Sequence, residues 1–173
     1  MAYIDRRTFL RKSGAATAGT LVSSQLLARP YTRNSPNDTI RVAVIGIRSR
    51  GMDHCRALSQ IPDVQIATLC DIDQRLLPGA AAEVEKMTGY KPATVNEYKK
   101  VLDDPGIDAV SIATPNHWHA LQTIWACQAG KDVYVEKPVS HTLLEGRRMV
   151  EAARKYHRMV QTGTQARSSM ATL

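Results

Sequence analysis

The sequence contains few aromatic side chains and no basic segment interleaved with them. Phe, Trp and Tyr make up 5% of the 173 residues, and Phe occurs only once. Proteins that bind single-stranded nucleic acid stack bases on aromatic rings beside basic groups. The net charge is +7, but residues 1–33 carry +5 of it and the rest of the chain is nearly balanced. The composition therefore argues against nucleic-acid binding.

Cysteine is also scarce. Cys55, Cys70 and Cys127 are an odd number of thiols and contain no Cys-x-x-Cys pair. Disulfide frameworks and structural zinc sites need paired, closely spaced ligands, so neither is indicated and no metal site is expected. We expect the three cysteines to behave as small buried apolar residues.

The N-terminal segment has the three-part composition of an export signal. Arg6 and Arg7 stand directly before an apolar pair, and residues 14–28 are weakly hydrophobic and uncharged. This run is short for a membrane span of about 20 residues, so removal is expected rather than stable anchoring. The arginine pair resembles a twin-arginine signal, which implies the twin-arginine export machinery as a partner and a periplasmic or secreted protein.

A basic amphipathic N-terminal helix is the alternative interpretation of this segment. Asp5 stands where the twin-arginine pattern usually has Ser or Thr, and no clean Ala-x-Ala cleavage site follows. On the export interpretation, residues 1–33 form the signal peptide. Residues 34–39, within a stretch rich in Pro, Asn and Ser, form a linker.

Residues 40–163 alternate short β-branched runs with longer amphipathic stretches. This alternation predicts an α/β fold with a doubly wound parallel sheet whose strands are joined by helical crossovers. Strands are expected at about 41–46, 64–70, 93–95, 109–113, 133–136 and 159–162. Helices are expected at about 50–60, 74–88, 96–102, 116–129 and 143–156. A domain of this kind normally shares its substrate with a second domain, so residues 164–173 are predicted to begin a truncated one.

A glycine-containing turn follows the first predicted strand. Dinucleotide-binding folds use three glycines here, for a tight turn, for approach to the pyrophosphate and for packing of helix on strand. Gly46 and Gly51 fill the first and third places, whereas Arg48 occupies the second. Its side chain should hold the backbone further from the phosphates, although its guanidinium is able to pair with them.

Asp71 follows the second predicted strand, 20 residues beyond Gly51. A carboxylate at this place accepts hydrogen bonds from the adenosine ribose of a dinucleotide, and its charge repels a 2′-phosphate. The sequence therefore predicts binding of NAD, with NADP as a possible cofactor. The alternative is that Asp71 only caps a helix; Asp73, two residues on, is expected to cap the next one.

Polar residues also follow the fourth and fifth predicted strands, at the edge of the sheet where such folds bind ligands. Thr114 and Asn116 are candidates to hydrogen-bond a cofactor, and Asn116 is a candidate helix cap. Glu136 and Lys137 follow an apolar strand directly, an unfavourable place for two charges unless both face a cleft. A lysine near an oxidised nicotinamide would have its pKa lowered, which suits proton transfer with a substrate hydroxyl. An exposed ion pair is the alternative.

These segments resemble the Gfo/Idh/MocA family of glucose-fructose oxidoreductase and inositol 2-dehydrogenase. The most specific matches are Thr114-Pro115-Asn116 with His119, and Glu136-Lys137-Pro138 with Thr142. The resemblance implies a Rossmann domain followed by an α/β substrate domain, which is missing here and often assists homo-oligomer formation. It implies that Lys137 is a catalytic candidate beside the nicotinamide, with a cis Lys137–Pro138 bond, and that Glu136, Asn116 and His119 lie near the cofactor.

Three functions remain open at this stage. The first is an exported NAD-dependent oxidoreductase that acts on a sugar or polyol. The second is a glycoside hydrolase that oxidises and reduces bound NAD within one cycle, since some relatives with a similar stretch from Gly163 to Ser168 have this activity. The third is a truncated cofactor-binding module without activity.

Overall fold

The computed structural model describes residues 39–168 of the chain. Six strands alternate with five helices, and a short 3₁₀ turn at Gln165–Ser168 follows the last strand. The strands are β1 (Ile40–Ile45), β2 (Val64–Cys70), β3 (Ala93–Val95), β4 (Ala109–Ile112), β5 (Asp132–Glu136) and β6 (Val160–Gly163). The helices are α1 (Arg50–Leu58), α2 (Leu77–Thr88), α3 (Tyr98–Asp103), α4 (Asn116–Gln128) and α5 (Leu143–Lys155).

All six strands pair in parallel, in the order β3-β2-β1-β4-β5-β6. This is the strand order of the Rossmann fold, in which the chain reverses direction across the sheet between β1 and β4. The predicted doubly wound parallel sheet is therefore confirmed. The reversal matters for function, because it opens a crevice at the carboxyl ends of the central strands.

Alternate residues of the central strand face two separate cores. Ala43 and Ile45 of β1 pack with buried residues of α3, α4 and α5, whereas Val44 packs with residues of α1 and α2. Successive side chains of a strand point to opposite faces, so a continuous apolar run is needed when helices cover both faces. The run from Val42 to Ile45 meets that need.

The three cysteines are free and buried, as the sequence predicted. Burial raises the pKa of Cys55 and that of Cys70 to about 12. These thiols are consequently packing groups and not nucleophiles at neutral pH.

Two predicted helix caps are wrong. Helix α2 begins at Leu77 after Leu76, without a side-chain cap, and Asp73 instead accepts a hydrogen bond from the backbone N–H of Arg75 in a preceding turn. Asp and Asn side chains readily form such local turns, which compete with capping. Helix α4 begins at Asn116 itself, so the flanking position belongs to Pro115.

The predicted signal peptide, residues 1–33, lies outside the described residues. Of the predicted linker, residues 34–39, only Thr39 is described, and of residues 164–173 the structure describes 164–168. None of the helices within residues 39–168 is long and apolar enough to cross a membrane.

Candidate active site

The turn between β1 and α1 packs tightly enough to require both of its glycines. Gly46 has φ of 80°, and a Cβ there would lie 3.0 Å from the backbone of Ala113. A Cβ at Gly51 would lie 1.8 Å from the carbonyl oxygen of Gly46, a distance no structure tolerates. The start of α1 is thus drawn against the end of β1, as in dinucleotide-binding turns.

The carboxylate of Asp71 is held beside this turn. Its Oδ2 accepts the backbone N–H of Ile47 at 2.9 Å, and its Oδ1 accepts the N–H of Asp73 at 2.9 Å. Each carboxylate oxygen has two acceptor positions, so both oxygens retain capacity for a further donor such as a ribose hydroxyl. The half-buried side chain is therefore oriented by the fold before any ligand binds.

Arg48, in the place of the second glycine, points its guanidinium at Asp73. The distance from Nη2 of Arg48 to Oδ2 of Asp73 is 2.7 Å, and Arg75 binds the same carboxylate at 2.8 Å. Hydrogen bonds from Arg75 and Arg48 hold the pKa of Asp73 well below its usual range. Pairing of Arg48 with a phosphate would require this exposed ion pair to be exchanged for a new one.

A cavity of about 450 Å³ opens at the carboxyl ends of β4 and β5. This volume falls in the range of small-ligand sites. The structure brings five sequence-predicted residues together in its lining, namely Thr114, Asn116, His119, Glu136 and Lys137. Four others, Gly46, Arg48, Gly51 and Asp71, lie outside the lining, along the turn and the end of β2.

His119 is fully buried and both of its ring nitrogens are engaged. Nδ1 lies 2.7 Å from the carbonyl oxygen of Pro138, and Nε2 lies 2.7 Å from that of Thr114. The ring therefore joins the loop after β4 to the loop after β5, and neither nitrogen is free for a metal ion. Among residues 39–168 no group of three His, Cys, Asp or Glu side chains is arranged to hold one.

The other two residues of the β4 loop differ in what they offer a ligand. The hydroxyl of Thr114 donates a 2.6 Å hydrogen bond to Gln122 of α4, so its proton is already used. Asn116 lies half-buried in the lining with no hydrogen bond from its side chain to the described part of the chain. Asn116 is consequently the freer of the two to bind a cofactor.

Glu136 is the most heavily bonded group of the site. It is 4% exposed, and its Oε1 accepts from Nε of Arg50 at 2.7 Å, Nε2 of His54 at 3.0 Å and Nε2 of Gln165 at 3.0 Å. Its Oε2 accepts the backbone N–H of Lys137 at 3.1 Å. Burial acts to raise the pKa of Glu136, but the hydrogen bonds from His54 and Arg50 outweigh burial and lower it. The carboxylate is therefore ionised and fixed.

Lys137 follows Glu136 directly in the sequence and lines the exposed side of the cavity. Its side chain is exposed, and within residues 39–168 it forms no hydrogen bond or ion pair. The Lys137–Pro138 peptide bond is cis, as the resemblance implied. Thr142, the remaining residue of that resemblance, lies outside the cavity lining and caps α5, with its hydroxyl accepting the N–H of Glu145. Of the two predicted charges, Glu136 is thus buried and Lys137 is available.

Sequence reasoning gave no role at Glu136 to its three side-chain donors, Arg50, His54 and Gln165, or to its close neighbour Gly163. Arg50 and His54 are four residues apart on α1, so they share a helix face. That spacing was the available signal. Gly163 pairs with Glu136 across β5 and β6, and a Cβ there would lie 2.8 Å from the hydroxyl of Tyr134. No local signal in the sequence indicates this requirement.

The arrangement fits a dinucleotide on structural grounds. The glycine turn leaves no space for side chains at Gly46 and Gly51, and the oriented carboxylate of Asp71 lies beside it. The cavity adjoins the turn through Ala113, which lines the cavity and whose backbone leaves no space for a Cβ at Gly46. Asp71 would hold a ribose, Asn116 would hold the opposite end of the molecule, and Lys137 would lie beside that end.

Comparison with known proteins gives two groups of relatives. A glycosyl hydrolase family 109 protein of Shewanella baltica (strain OS185) is 32% identical over 174 aligned positions, which cover 90% of this chain. An alpha-N-acetylgalactosaminidase of Shewanella oneidensis is 29% identical over the same share of the chain. The chain spans 38% of the length of both of these curated relatives.

Solved structures give the second group. Myo-inositol 2-dehydrogenase from Lactobacillus plantarum is similar with a TM-score of 0.69 and 29% identity, covering 76% of this chain and 38% of that one. An NAD binding oxidoreductase from Klebsiella pneumoniae is similar with a TM-score of 0.66 and 26% identity, covering 78% and 36%.

The profile of the Gfo/Idh/MocA oxidoreductase family, described as having an NAD-binding Rossmann fold, matches residues 40–164. This span contains the glycine turn, Asp71, the β4 loop and Lys137. The match covers most of the chain and agrees with the observed strand order. The chain therefore belongs to the Gfo/Idh/MocA family of oxidoreductases with an NAD-binding Rossmann fold.

Proposed function

We propose that this chain is the NAD-binding part of an exported oxidoreductase that acts on a sugar or polyol. The observation that carries the proposal is the contrast between two neighbours at the cavity. Glu136 has both carboxylate oxygens bonded within the protein, whereas Lys137 extends into the cavity mouth unpaired with the described residues. A fixed anion beside an available amine suits recognition of a hydroxyl group and movement of its proton.

Some of these residues would bind the cofactor, and one would take part in the reaction. Asp71 binds the ribose, Asn116 supports the reactive end of the cofactor, and Nζ of Lys137 exchanges a proton with the substrate hydroxyl. When bound, NAD supplies a carbon that accepts or returns a hydride. Glu136 and His119 contribute by fixing the two loops that carry these groups.

Asp71 also supports NAD over NADP, because its charge opposes a 2′-phosphate. The test is calorimetric titration of the purified chain with each cofactor, for the wild type and for Asp71→Asn. Loss of a charge-assisted hydrogen bond should weaken NAD binding by about 1–3 kcal/mol. Asp103→Asn, at an exposed ion pair on α3, is the matched control and should bind as the wild type does.

Each outcome of the titration has a distinct meaning for the cofactor site. Unchanged affinity of Asp71→Asn, with its fold intact by circular dichroism, would remove Asp71 from the ribose site. A wild-type chain that binds neither cofactor would overturn the proposal as a whole. Tighter binding of NADP than of NAD would keep the cofactor site and reverse its specificity.

A second candidate is a glycoside hydrolase that uses NAD without consuming it. The relatives named glycosyl hydrolase family 109 proteins, at up to 33% identity over 90% of the chain, favour it. Gln165 lies in the stretch on which the hydrolase resemblance rests, and it donates to Glu136. Because such a reaction restores its cofactor, cleavage of a nitrophenyl α-N-acetylgalactosaminide without net NADH formation would favour the hydrolase. NADH formation from a free sugar or polyol would favour the dehydrogenase.

Export through the twin-arginine pathway is part of the proposal. A nicotinamide cofactor is scarce outside the cytoplasm, so a protein that folds around it before export would arrive loaded. The test fuses residues 1–39 to a reporter that is active only after export. Replacement of Arg6 and Arg7 by lysine should abolish its activity, whereas Arg29→Lys, in the same segment, should not. Full activity of the double variant would contradict export by this route.

A further inference from the structure

Three buried polar side chains form a hydrogen-bonded series on one face of the sheet, and the last of them, Glu136, lines the cavity. Nδ1 of His54 lies 2.8 Å from Oγ of Ser111, and Nε2 of His54 lies 3.0 Å from Oε1 of Glu136. The exposed fractions of the three residues are 3% for Ser111, 6% for His54 and 4% for Glu136. Buried polar groups are costly unless they are paired, so the burial of three adjacent polar side chains points to a specific role.

Topology brings the three residues together. Ser111 pairs with Tyr134 across β4 and β5, and Glu136 follows two residues later on the same face of β5. His54 reaches that face from α1, one helical turn after Arg50. The ring of His54 also packs edge-on against Tyr134 at 5.3 Å between centroids, which holds its plane.

The ionised carboxylate assigns the donor role to one nitrogen of the imidazole ring. An ionised carboxylate can only accept, so Nε2 of His54 must donate its proton to Glu136. Nδ1 of a neutral ring then accepts from the hydroxyl of Ser111, which is the only one of these groups able to donate to it. The ionised Glu136, the Nε2–H form of His54 and the donating Ser111 satisfy every contact at once.

This order of residues is not a nucleophilic triad. Ser111 lies in the middle of the sheet with 3% of its surface exposed, so no substrate can reach its hydroxyl. Hydrogen-bond donation runs from Ser111 through His54 to Glu136, and the same carboxylate accepts the backbone N–H of Lys137.

We propose that His54 is a positioning residue that, through Glu136, fixes the backbone of Lys137 at the mouth of the cavity. His54 contributes one of three donors to Oε1, and the carboxylate thus held presents Oε2 to the Lys137 amide. Arg50, which is partly exposed, and Gln165, which belongs to the 3₁₀ turn after β6, are the other two donors. The significance of this position for catalysis depends on the proposed function, whereas the position itself does not.

Two substitutions of His54 distinguish a role in positioning Lys137 from a role in packing alone. The amide of glutamine overlays Nε2 of histidine, so His54→Gln keeps a donor for Glu136. The amide of asparagine overlays Nδ1, so His54→Asn keeps a partner for Ser111 and loses the donor. The readout is amide hydrogen exchange at Lys137 in the chain without ligand, measured by NMR under conditions where all variants are folded.

We expect exchange at Lys137 to be roughly two- to tenfold faster in His54→Asn, the factor for one ordinary hydrogen bond, and close to the wild-type rate in His54→Gln. Equal acceleration in both variants would assign His54 to packing and overturn the proposal. Wild-type rates in both variants would overturn it as well. The affinity for NAD, measured separately, tests the proposed function and leaves this result unaffected.

A measurement on the wild type covers the case in which His54→Asn does not fold. Long-range ¹H–¹⁵N spectra distinguish which ring nitrogen carries a proton. The proposal requires a proton on Nε2 of His54 at neutral pH, because that nitrogen donates to Glu136. A bare Nε2 with a proton on Nδ1 would overturn it.

Discussion

Nε of Arg50 donates a 2.7 Å hydrogen bond to Oε1 of Glu136 across 86 positions of sequence. Arg50 is the first residue of α1 and stands directly before Gly51 of the glycine turn. Glu136 is the last residue of β5 and stands directly before Lys137. The pair therefore ties the part of the fold expected to hold phosphates to the part expected to hold the reacting group. The carboxylate is buried, while the side chain of Arg50 is 43% exposed.

Glu136 should make the free energy of unfolding decrease as pH falls into the acid range. Its folded pKa is lower than its ordinary value, so its ionised form stabilises the folded state above an ordinary glutamate pKa of about 4.3. The advantage of the wild type over Glu136→Gln in free energy of unfolding should be about 1–3 kcal/mol at pH 7. It should shrink as pH falls through the folded pKa. Urea unfolding between pH 7 and pH 3 measures it.

Glu151→Gln is the matched control for this series. Glu151 pairs with Arg147 and Arg148 on the exposed face of α5, where such pairs contribute little. Its variant should stay within about 0.5 kcal/mol of the wild type. An advantage of the wild type over Glu136→Gln that grows as pH falls would show that Glu136 is neutral in the folded protein.

Gly51→Ala should prevent folding or destabilise the chain strongly. A Cβ at this position would lie 1.8 Å from the carbonyl oxygen of Gly46, which is backbone and cannot turn aside. The expected loss in free energy of unfolding exceeds about 4 kcal/mol, the level of the most severe single substitutions. Thermal and urea unfolding provide the measurement.

Gly79→Ala is the contrasting variant on the same chain. Gly79 lies in the first turn of α2 with no atom within 4 Å of an added Cβ. Alanine there should stabilise the chain by up to about 1 kcal/mol, because glycine weakens helices. A similar loss in both variants would contradict the close approach to Gly46 as the cause of the effect at Gly51, because backbone entropy alone favours alanine over glycine.

The fold could be predicted from sequence because its signals are local. The β-branched runs at β2 and β3 stand between turn residues, and the strand limits Val64–Cys70 and Ala93–Val95 agree with the sequence prediction. Element boundaries that lack such flanking turn residues differ from the predicted ones by one to three residues. Helix α2, for example, starts at Leu77 because residues 73–76 form turns first. Local hydrogen bonding by Asp73 prevailed over capping there.

The site could be predicted only in part, for a physical reason. The carboxyl ends of parallel strands converge, so Thr114, Asn116, Glu136 and Lys137 were identifiable from their positions after strands. The partners of Glu136 were not, because His54 lies 82 positions away and its spacing from Arg50 indicates a shared helix face without indicating which carboxylate that face contacts. Burial and orientation of a side chain depend on packing between elements, which the local pattern does not encode.

Lys131→Met should destabilise the chain without affecting the cofactor site. Lys131 is buried, and its Nζ donates to the carbonyl oxygens of Asp104 at 2.5 Å and Ile107 at 2.7 Å. Methionine keeps the side-chain length but leaves the carbonyl of Ile107 without its donor, and the carbonyl of Asp104 keeps only the backbone N–H of Ile107, at a cost of about 1–3 kcal/mol in free energy of unfolding. Urea unfolding checks this. Lys100→Met, on the exposed side of α3, should change stability by no more than about 0.5 kcal/mol.

Lys137→Ala should separate chemistry from both folding and binding. Lys137 is exposed and unpaired with the described residues, so its removal should change the free energy of unfolding by no more than about 0.5 kcal/mol. If its amine moves the hydroxyl proton, turnover of the full-length protein should fall by roughly 10²–10⁴ while NAD affinity changes little. Lys86→Ala, on the exposed side of α2, serves as the control and should keep full turnover. An equal loss of turnover and NAD affinity would instead make Lys137 a cofactor-binding residue, and a rate that survives the substitution would move the proton transfer to another group.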